Sequence, residues 1–458
     1  MMKPLTTLVL SGLLAAGLTA PALAQAPALA TFPVGSTTVT VSELTPGLDV
    51  VWELAWGPDN FLWMTERRGR ISRVNPATGQ VLPLLSIPDV SQQAEGGLLG
   101  MVLHPRFAAQ PYLYVVYNYL NNGQYREKVV RYTYDVATNT LGSPLALLAN
   151  IPANLYHNGS RLIILPDETL LMTTGDANVS ADAQNPASLS GKSLRMNLDG
   201  SIPVNNPTPG SYVYTLGHRN PQGLVQLPSG RIYSSEHGTT TDDEVNLLEP
   251  GRNYGWPNVQ GMCDEPGEMA FCSANNVREP LTTWTPTVAP AALKYYNHPA
   301  IPEWQGSLLL ACLGGNLLAH LPLNASGDAI TGRTYYMRTY GRLRALCVSP
   351  TGKVYIGTSN SNTDRILVLE NRAFLASARP ASGLDFKLWP NPAQQQATLE
   401  LPAAGLSVQV RDLLGRELLA LQPATTTATL NLSTLRPGTY LVQASGAAGT
   451  ATRRLVVK

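Results

Sequence analysis

The chain has 458 residues, 44% of them hydrophobic, and its 32 basic residues nearly balance 31 acidic ones, leaving a formal net charge of +1. That length accommodates two or three domains with a large buried core. No basic stripe marks a nucleic-acid surface, so that class of partner is set aside.

Residues 1–24 follow the pattern of a secretory signal peptide: Lys3, an apolar stretch from Leu8 to Leu18, then Ala22-Leu23-Ala24 as a small-residue cleavage site. The mature chain is expected to begin near Gln25, and no later apolar run is long enough to span a bilayer. In an oxidising compartment cysteine pairing is the default. Cys263 and Cys272 bracket a short Gly/Pro/acidic loop and are expected to pair. Cys312 and Cys347 lie in apolar strand-like runs, as neighbours or as buried free thiols.

From about Thr31, short β-rich runs alternate with turn clusters, and no helical pattern persists. One loose unit recurs: a turn with Pro and a small or acidic residue, a strand, a gap, then a second strand often containing Arg. Six copies, from GPDNFLWMTERRGRISRV to SPTGKVYIGTSN with RILVLE, predict radial repetition of small antiparallel sheets, an all-β propeller over residues 31–371. A sandwich or solenoid of similar period is the alternative. Loops of successive blades would converge on one end of the channel.

The stretch from Tyr214 to Gly261 crowds binding groups together. Gly217-His218-Arg219-Asn220-Pro221-Gln222-Gly223 reads as a constrained loop, and Glu236-His237-Gly238-Thr239 precedes the acidic triplet Asp242-Asp243-Glu244. Hard oxygen donors beside glycines suit calcium better than zinc, although acidic triplets are more often solvated faces. Residues 372–385 are Ala/Ser/Pro-rich and read as a linker. Alternating runs over 386–458, with turns at Asp412-Leu413-Leu414-Gly415-Arg416 and Arg436-Pro437-Gly438, predict a small β-sandwich.

GHRNPQGL, the SEHG and DDEVNL segments and NYGWPNV, with GGLLGMVLHPRF, NGSRLIILPD, TTGD, GKSLRMNLDGSIPVNNP, WTPTVAP and YGRLR in the same order, resemble the soluble pyrroloquinoline quinone (PQQ)-dependent glucose/sorbosone dehydrogenases over roughly residues 35–370. WPNP, the D-LG turn, LRPGTYLV and the basic-apolar end resemble the sorting domain of type IX secretion substrates; a carbohydrate- or partner-binding module is the alternative. The first resemblance implies a six-bladed propeller, hydride transfer from C1 of an aldose to PQQ, and a lactone product.

By the same resemblance His157 is the base, Asp176 the carboxylate that orients it, and Arg219 the cation at the reduced quinone oxygen. Asn220, His237, Thr287, Arg342, Arg344 and Glu95 fall on cofactor-contact positions. The carbonyls of Gly238 and Thr239 would hold the cofactor's calcium, and Glu244, Tyr254, Gln260 and Asp264 match a second, structural calcium site. The bland readings are a structural loop histidine, a simple Gly-Asp turn and solvent-facing arginines. Departures are Gly314 where the family carries lysine, Thr239 for a common proline, Glu95 for the glutamine of the glucose enzyme, and Ala345 for an acidic residue. The expectation is a secreted PQQ- and calcium-dependent aldose dehydrogenase exported by the type IX machinery, with an unspecified electron acceptor. The rival is a non-catalytic surface propeller that binds glycans or a protein.

Overall fold

The computed structural model describes residues 26–361, 363–377, 385–412, 417–446 and 449–458. The signal-peptide segment, residues 378–384 of the linker and the turn at 413–416 lie outside them. The chain divides into two compact units, one built mainly from 41–297 and 304–369, the other from 370–458 with the short segments 32–40 and 298–303.

The first unit is a six-bladed propeller of antiparallel sheets. Blade one is Val51–Trp56, Leu62–Glu66, Arg70–Val74 and Val81–Ser86, each strand paired with the next. Blades two to five repeat that order, starting at Leu98–Leu103, Leu162–Ile164, Pro221–Gln226 and Pro290–Tyr296. Blade six takes Leu343–Val348, Val354–Thr358 and Asp364–Glu370, and is joined by Thr37–Leu48 from the other end of the domain.

Face-to-face packing of neighbouring blades explains the composition of the strands. Inner strands bury both faces and read as continuous apolar runs, so Leu62–Glu66 and Ser307–Cys312 are buried throughout. Outer strands such as Thr140–Pro152 are largely exposed. Trp63 of blade one packs edge-on against Phe107 and Tyr134 of the blade-two segment, with ring centroids 5.4 and 5.1 Å away. Truncating it to Ala would cost about 3–5 kcal/mol.

Around the axis, in blades one, three, four and six, the penultimate residue of the second strand meets the first strand of the next blade. Thr65 donates to the Leu99 carbonyl (2.7 Å), Thr173 to Pro221 (2.8 Å) and Ser235 to Ala291 (2.7 Å). In blade six Gly357 takes that place, where a Cβ would stand 2.4 Å from a Val51 methyl. Buried Arg161 crosses the channel to Glu53 and to the Gln222 carbonyl, with its guanidinium 4.1 Å from the Trp52 ring centroid.

The second unit holds two sheets, Lys387–Trp389, Gln396–Glu400 and Thr427–Asn431 in one, and Glu417–Leu421, Ser407–Arg411, Gly438–Gly446 and Gly449–Val457 in the other. Alternate residues, among them Leu399, Val408, Val442 and Leu455, form one core between them, as the sandwich reading requires. Arg372–Ser377, inside the expected linker, forms a short helix.

Cys263 and Cys272 are disulfide-bonded, whereas Cys312 and Cys347 are free and buried. The loop between the paired cysteines is not irregular. Pro266–Ala274 is helical because Glu265 and Glu268 cap its first turn reciprocally and a proline opens it. Among the described residues no helix is long and apolar enough to cross a membrane.

Candidate active site

Strand pairing determines which residues can meet. In each blade the start of the first strand pairs with the end of the second, as in Val51 with Glu66, Pro221 with Glu236 and Leu343 with Thr358. The segment entering a blade and the one following its second strand therefore emerge at the same end. Glu95, His157, Arg219, Asn220, Thr287 and Arg342 lie on entering segments. Asp176, His237, Gly238, Thr239 and Gly314 follow second strands.

His157 sits in a tight loop with a left-handed backbone, φ +58°, a conformation that a non-glycine residue holds only where its surroundings enforce it. Its amide donates to Glu95 Oε2 at 3.2 Å, and its carbonyl accepts from Ala177 at 3.1 Å. Gly175 passes directly beneath, where a Cβ would lie 2.0 Å from the His157 oxygen. The imidazole Nδ1 stands 2.8 Å from Asp176 Oδ1, which leaves Nε2 for another group.

Asp176, only 1% exposed, also accepts from the Asn178 amide (2.8 Å) and, on Oδ2, from Trp256 Nε1 (2.8 Å). The Trp256 ring centroid lies 5.3 Å from the Arg219 guanidinium. Burial holds Arg219 below its usual pKa, and its Nε has no hydrogen-bond partner. Asn220, fully buried, accepts from the Gly159 amide (3.1 Å) and donates to Glu95 Oε2 (3.4 Å). Burial, with Arg344 and Arg219 nearby, pushes His237 down to about 4, so its ring is neutral.

Alternation of Arg342 and Arg344 along YGRLRAL predicts that both point the same way out of one strand, but their environments differ. The regular strand begins at Leu343, with an irregularity before Ala345. Arg342 is exposed, whereas Arg344 is buried and bound to Gln222 Oε1 at 2.8 Å. Burial pushes Arg344 down to about 9. Both still line one cleft of about 250 Å³ with Arg67, Glu95 and Ser359–Ser361. Guanidiniums around such a cleft, one of them with a buried unpartnered Nε, fit a polycarboxylate such as PQQ.

The acidic triplet does different work from that expected of a solvated face. Asp243 accepts from the amides of Gly238 (2.8 Å), Val288 and Ala289 (both 2.6 Å), pinning the loops of blades four and five together. Glu244 accepts from Gly261 and Asn246, and burial, reinforced by Glu236, pushes it up to about 8. Both glutamates line a cavity of about 20 Å³ with Gly238, Tyr254 and Gln260, the room of a single ion or water.

Two carboxyl groups sharing so small a space fit a hard cation, but the ligand set is narrower than expected. The Tyr254 hydroxyl is used up between Glu249 and Leu247, leaving only its backbone, and Asp264 is exposed and does not line the cavity. Among the described residues no cluster of three or more His, Cys, Asp or Glu side chains could hold a metal. Thr287 is half-buried and lines neither cavity. Sequence reasoning passed over Trp256 and Arg67, and named Glu236 only within a run of oxygen donors. Trp256 stood in the quoted NYGWPNV motif, but nothing in that string named Asp176 as its partner.

A propeller whose channel mouth carries a His-Asp pair and several guanidiniums defines a dehydrogenase-type site. A model of the glucose/sorbosone dehydrogenase family matches residues 48–368, and this chain belongs to that family; a secretion system C-terminal sorting domain model matches 387–458. Quinoprotein glucose dehydrogenase B of Acinetobacter calcoaceticus is 41% identical over 245 residues, 47% of this chain and 51% of that protein, so the match spans about half of that relative. Aldose sugar dehydrogenase YliI of Escherichia coli is 29% identical over 72% of this chain and 93% of its own. The PQQ-bound aldose sugar dehydrogenase of Streptomyces coelicolor superposes with a TM-score of 0.63 at 33% identity, covering 74% of this chain and 99% of that one.

Proposed function

We propose that the chain is a PQQ- and calcium-dependent dehydrogenase that oxidises aldoses at C1 to lactones. The observation that carries this reading is the 2.8 Å contact between His157 Nδ1 and Asp176 Oδ1, beside Glu95, which lines the cleft with Arg344, and beside Trp256, whose ring lies 5.3 Å from the Arg219 guanidinium. Asp176 fixes the tautomer with the proton on Nδ1 and stabilises the imidazolium, so Nε2 takes the proton of the sugar C1 hydroxyl. Bound PQQ supplies the two-electron acceptor that receives the hydride from C1. Arg219 offers fixed positive charge, weakly solvated and therefore strong, where an oxyanion develops. Arg342 and Arg344 would hold cofactor carboxylates. The carbonyls of Gly238 and Thr239 would hold the cofactor's calcium, and Glu244 with backbone oxygens a second one.

The sorting domain supports export to the cell surface through type IX machinery. The test is reconstitution: purified protein, PQQ and calcium, with dye reduction followed across a panel of aldoses. Sugar-dependent turnover is expected. Quinone binding without turnover on any sugar, or no binding, would favour the non-catalytic propeller.

A further inference from the structure

We propose that Arg67 is a cofactor-binding residue, a third cleft guanidinium that pairs with a carboxylate of the quinone. This rests on the reading of the site given above. Arg67 directly follows the second strand of blade one, the topological position that Asp176 and His237 occupy in blades three and four.

Its backbone is fixed. The amide donates to Val50 (3.2 Å) and the carbonyl accepts from Leu98 (2.8 Å). Its stem lies against Gly97, where a Cβ would stand 2.7 Å from Arg67 Cγ, so only glycine leaves room for it. The guanidinium it presents lines the same cleft as Arg342 and Arg344. Its Nε is buried without a hydrogen-bond partner, and among the described residues no hydrogen bond or ion pair reaches the guanidinium.

Asp49, Glu95 and Asp364 act on Arg67 through space, but each has another partner. Asp49 pairs with Arg68 at 2.5 Å. Asp364 accepts from Thr358 Oγ1 and from the amides of Asn360, Val50 and Ser361. Glu95 Oε2 accepts from His157 and Asn220. An arginine serving only to neutralise those acids would be paired with one of them. A partly buried guanidinium left without a partner, beside two more of the same sign, is arranged for an anion with several carboxylates.

The test is calorimetric titration of the full chain with PQQ in calcium, comparing wild type, Arg67→Gln and Arg67→Lys, and repeating each with the trimethyl ester of PQQ. Arg67→Gln is expected to weaken PQQ binding roughly ten- to hundredfold, the scale of one lost charge-assisted hydrogen bond. Arg67→Lys should recover part of it, and the difference between variants should vanish with the uncharged ester. Wild type and Arg67→Gln binding PQQ equally would overturn the proposal, as would an equal loss for the ester. Failure of wild type to bind PQQ would instead defeat the reading of the site itself.

Discussion

Trp256 Nε1 donates to Asp176 Oδ2 at 2.8 Å, on the carboxylate whose other oxygen holds His157. The indole comes from the long blade-four loop and the carboxylate from blade three. His157, the proposed base, is thus oriented through a second bond to its carboxylate partner. In Trp256→Phe the carboxylate loses a donor and holds the imidazole less firmly, so kcat should fall about tenfold while quinone affinity stays the same. An unchanged kcat, with only a lower Tm, would show the indole to be packing alone.

His157→Ala should lower kcat by about 10²–10⁴, the range of general base catalysis, while PQQ still binds. Stopped-flow turnover alongside a quinone titration separates the two. Retention of full activity would remove His157 from the chemistry.

Gly175→Ala places a methyl group 2.0 Å from the His157 carbonyl oxygen. Because that atom belongs to backbone held in a left-handed conformation, the loop must move. A loss of about 1–3 kcal/mol in stability is expected, with a larger proportional fall in kcat. Urea unfolding and turnover of the same preparation check both.

Glu127 is fully enclosed, with Ser160 as its hydrogen-bond donor, and burial pushes it up to about 8. The folded form therefore holds its proton where the unfolded chain releases it. This group's contribution to stability is greatest below about 4.5 and falls as pH rises toward about 8, by up to about 1.4 kcal/mol per pH unit. Glu127→Gln should flatten that slope in chemical denaturation. An identical slope would place the titration elsewhere.

Gly314 offers nearly enough room for a side chain, with a Cβ 3.3 Å from Ala289 Cβ and 3.4 Å from the Val288 carbonyl. Gly314→Lys restores the cation that the family resemblance expects, and PQQ affinity should rise in titrations at low salt. No gain would show that the native cleft already carries sufficient positive charge.

The propeller was legible because each blade repeats one turn-strand-gap-strand unit, and packing between blades demands the same apolar inner strands every time. His157 and Asp176 were legible through motifs that flank a single blade. Trp256 and Arg67 were not, since their roles depend on partners 80 residues distant or on acids already engaged elsewhere. The acidic triplet misled for a related reason: Asp243 spends its oxygens on backbone amides of the next blade, a use that no local spacing announces.

Blade six joins Asp364–Glu370 to Thr37–Leu48, and Arg365 reaches Glu43 across 322 positions of sequence at 3.0 Å. A nascent chain makes one half of this seam at the start of the propeller and the other at its end. Ring closure therefore has very high contact order and must wait for nearly the whole domain. A fragment ending after blade five would keep an unpaired edge open to aggregation, and the loops at the channel mouth would never be drawn into one circle.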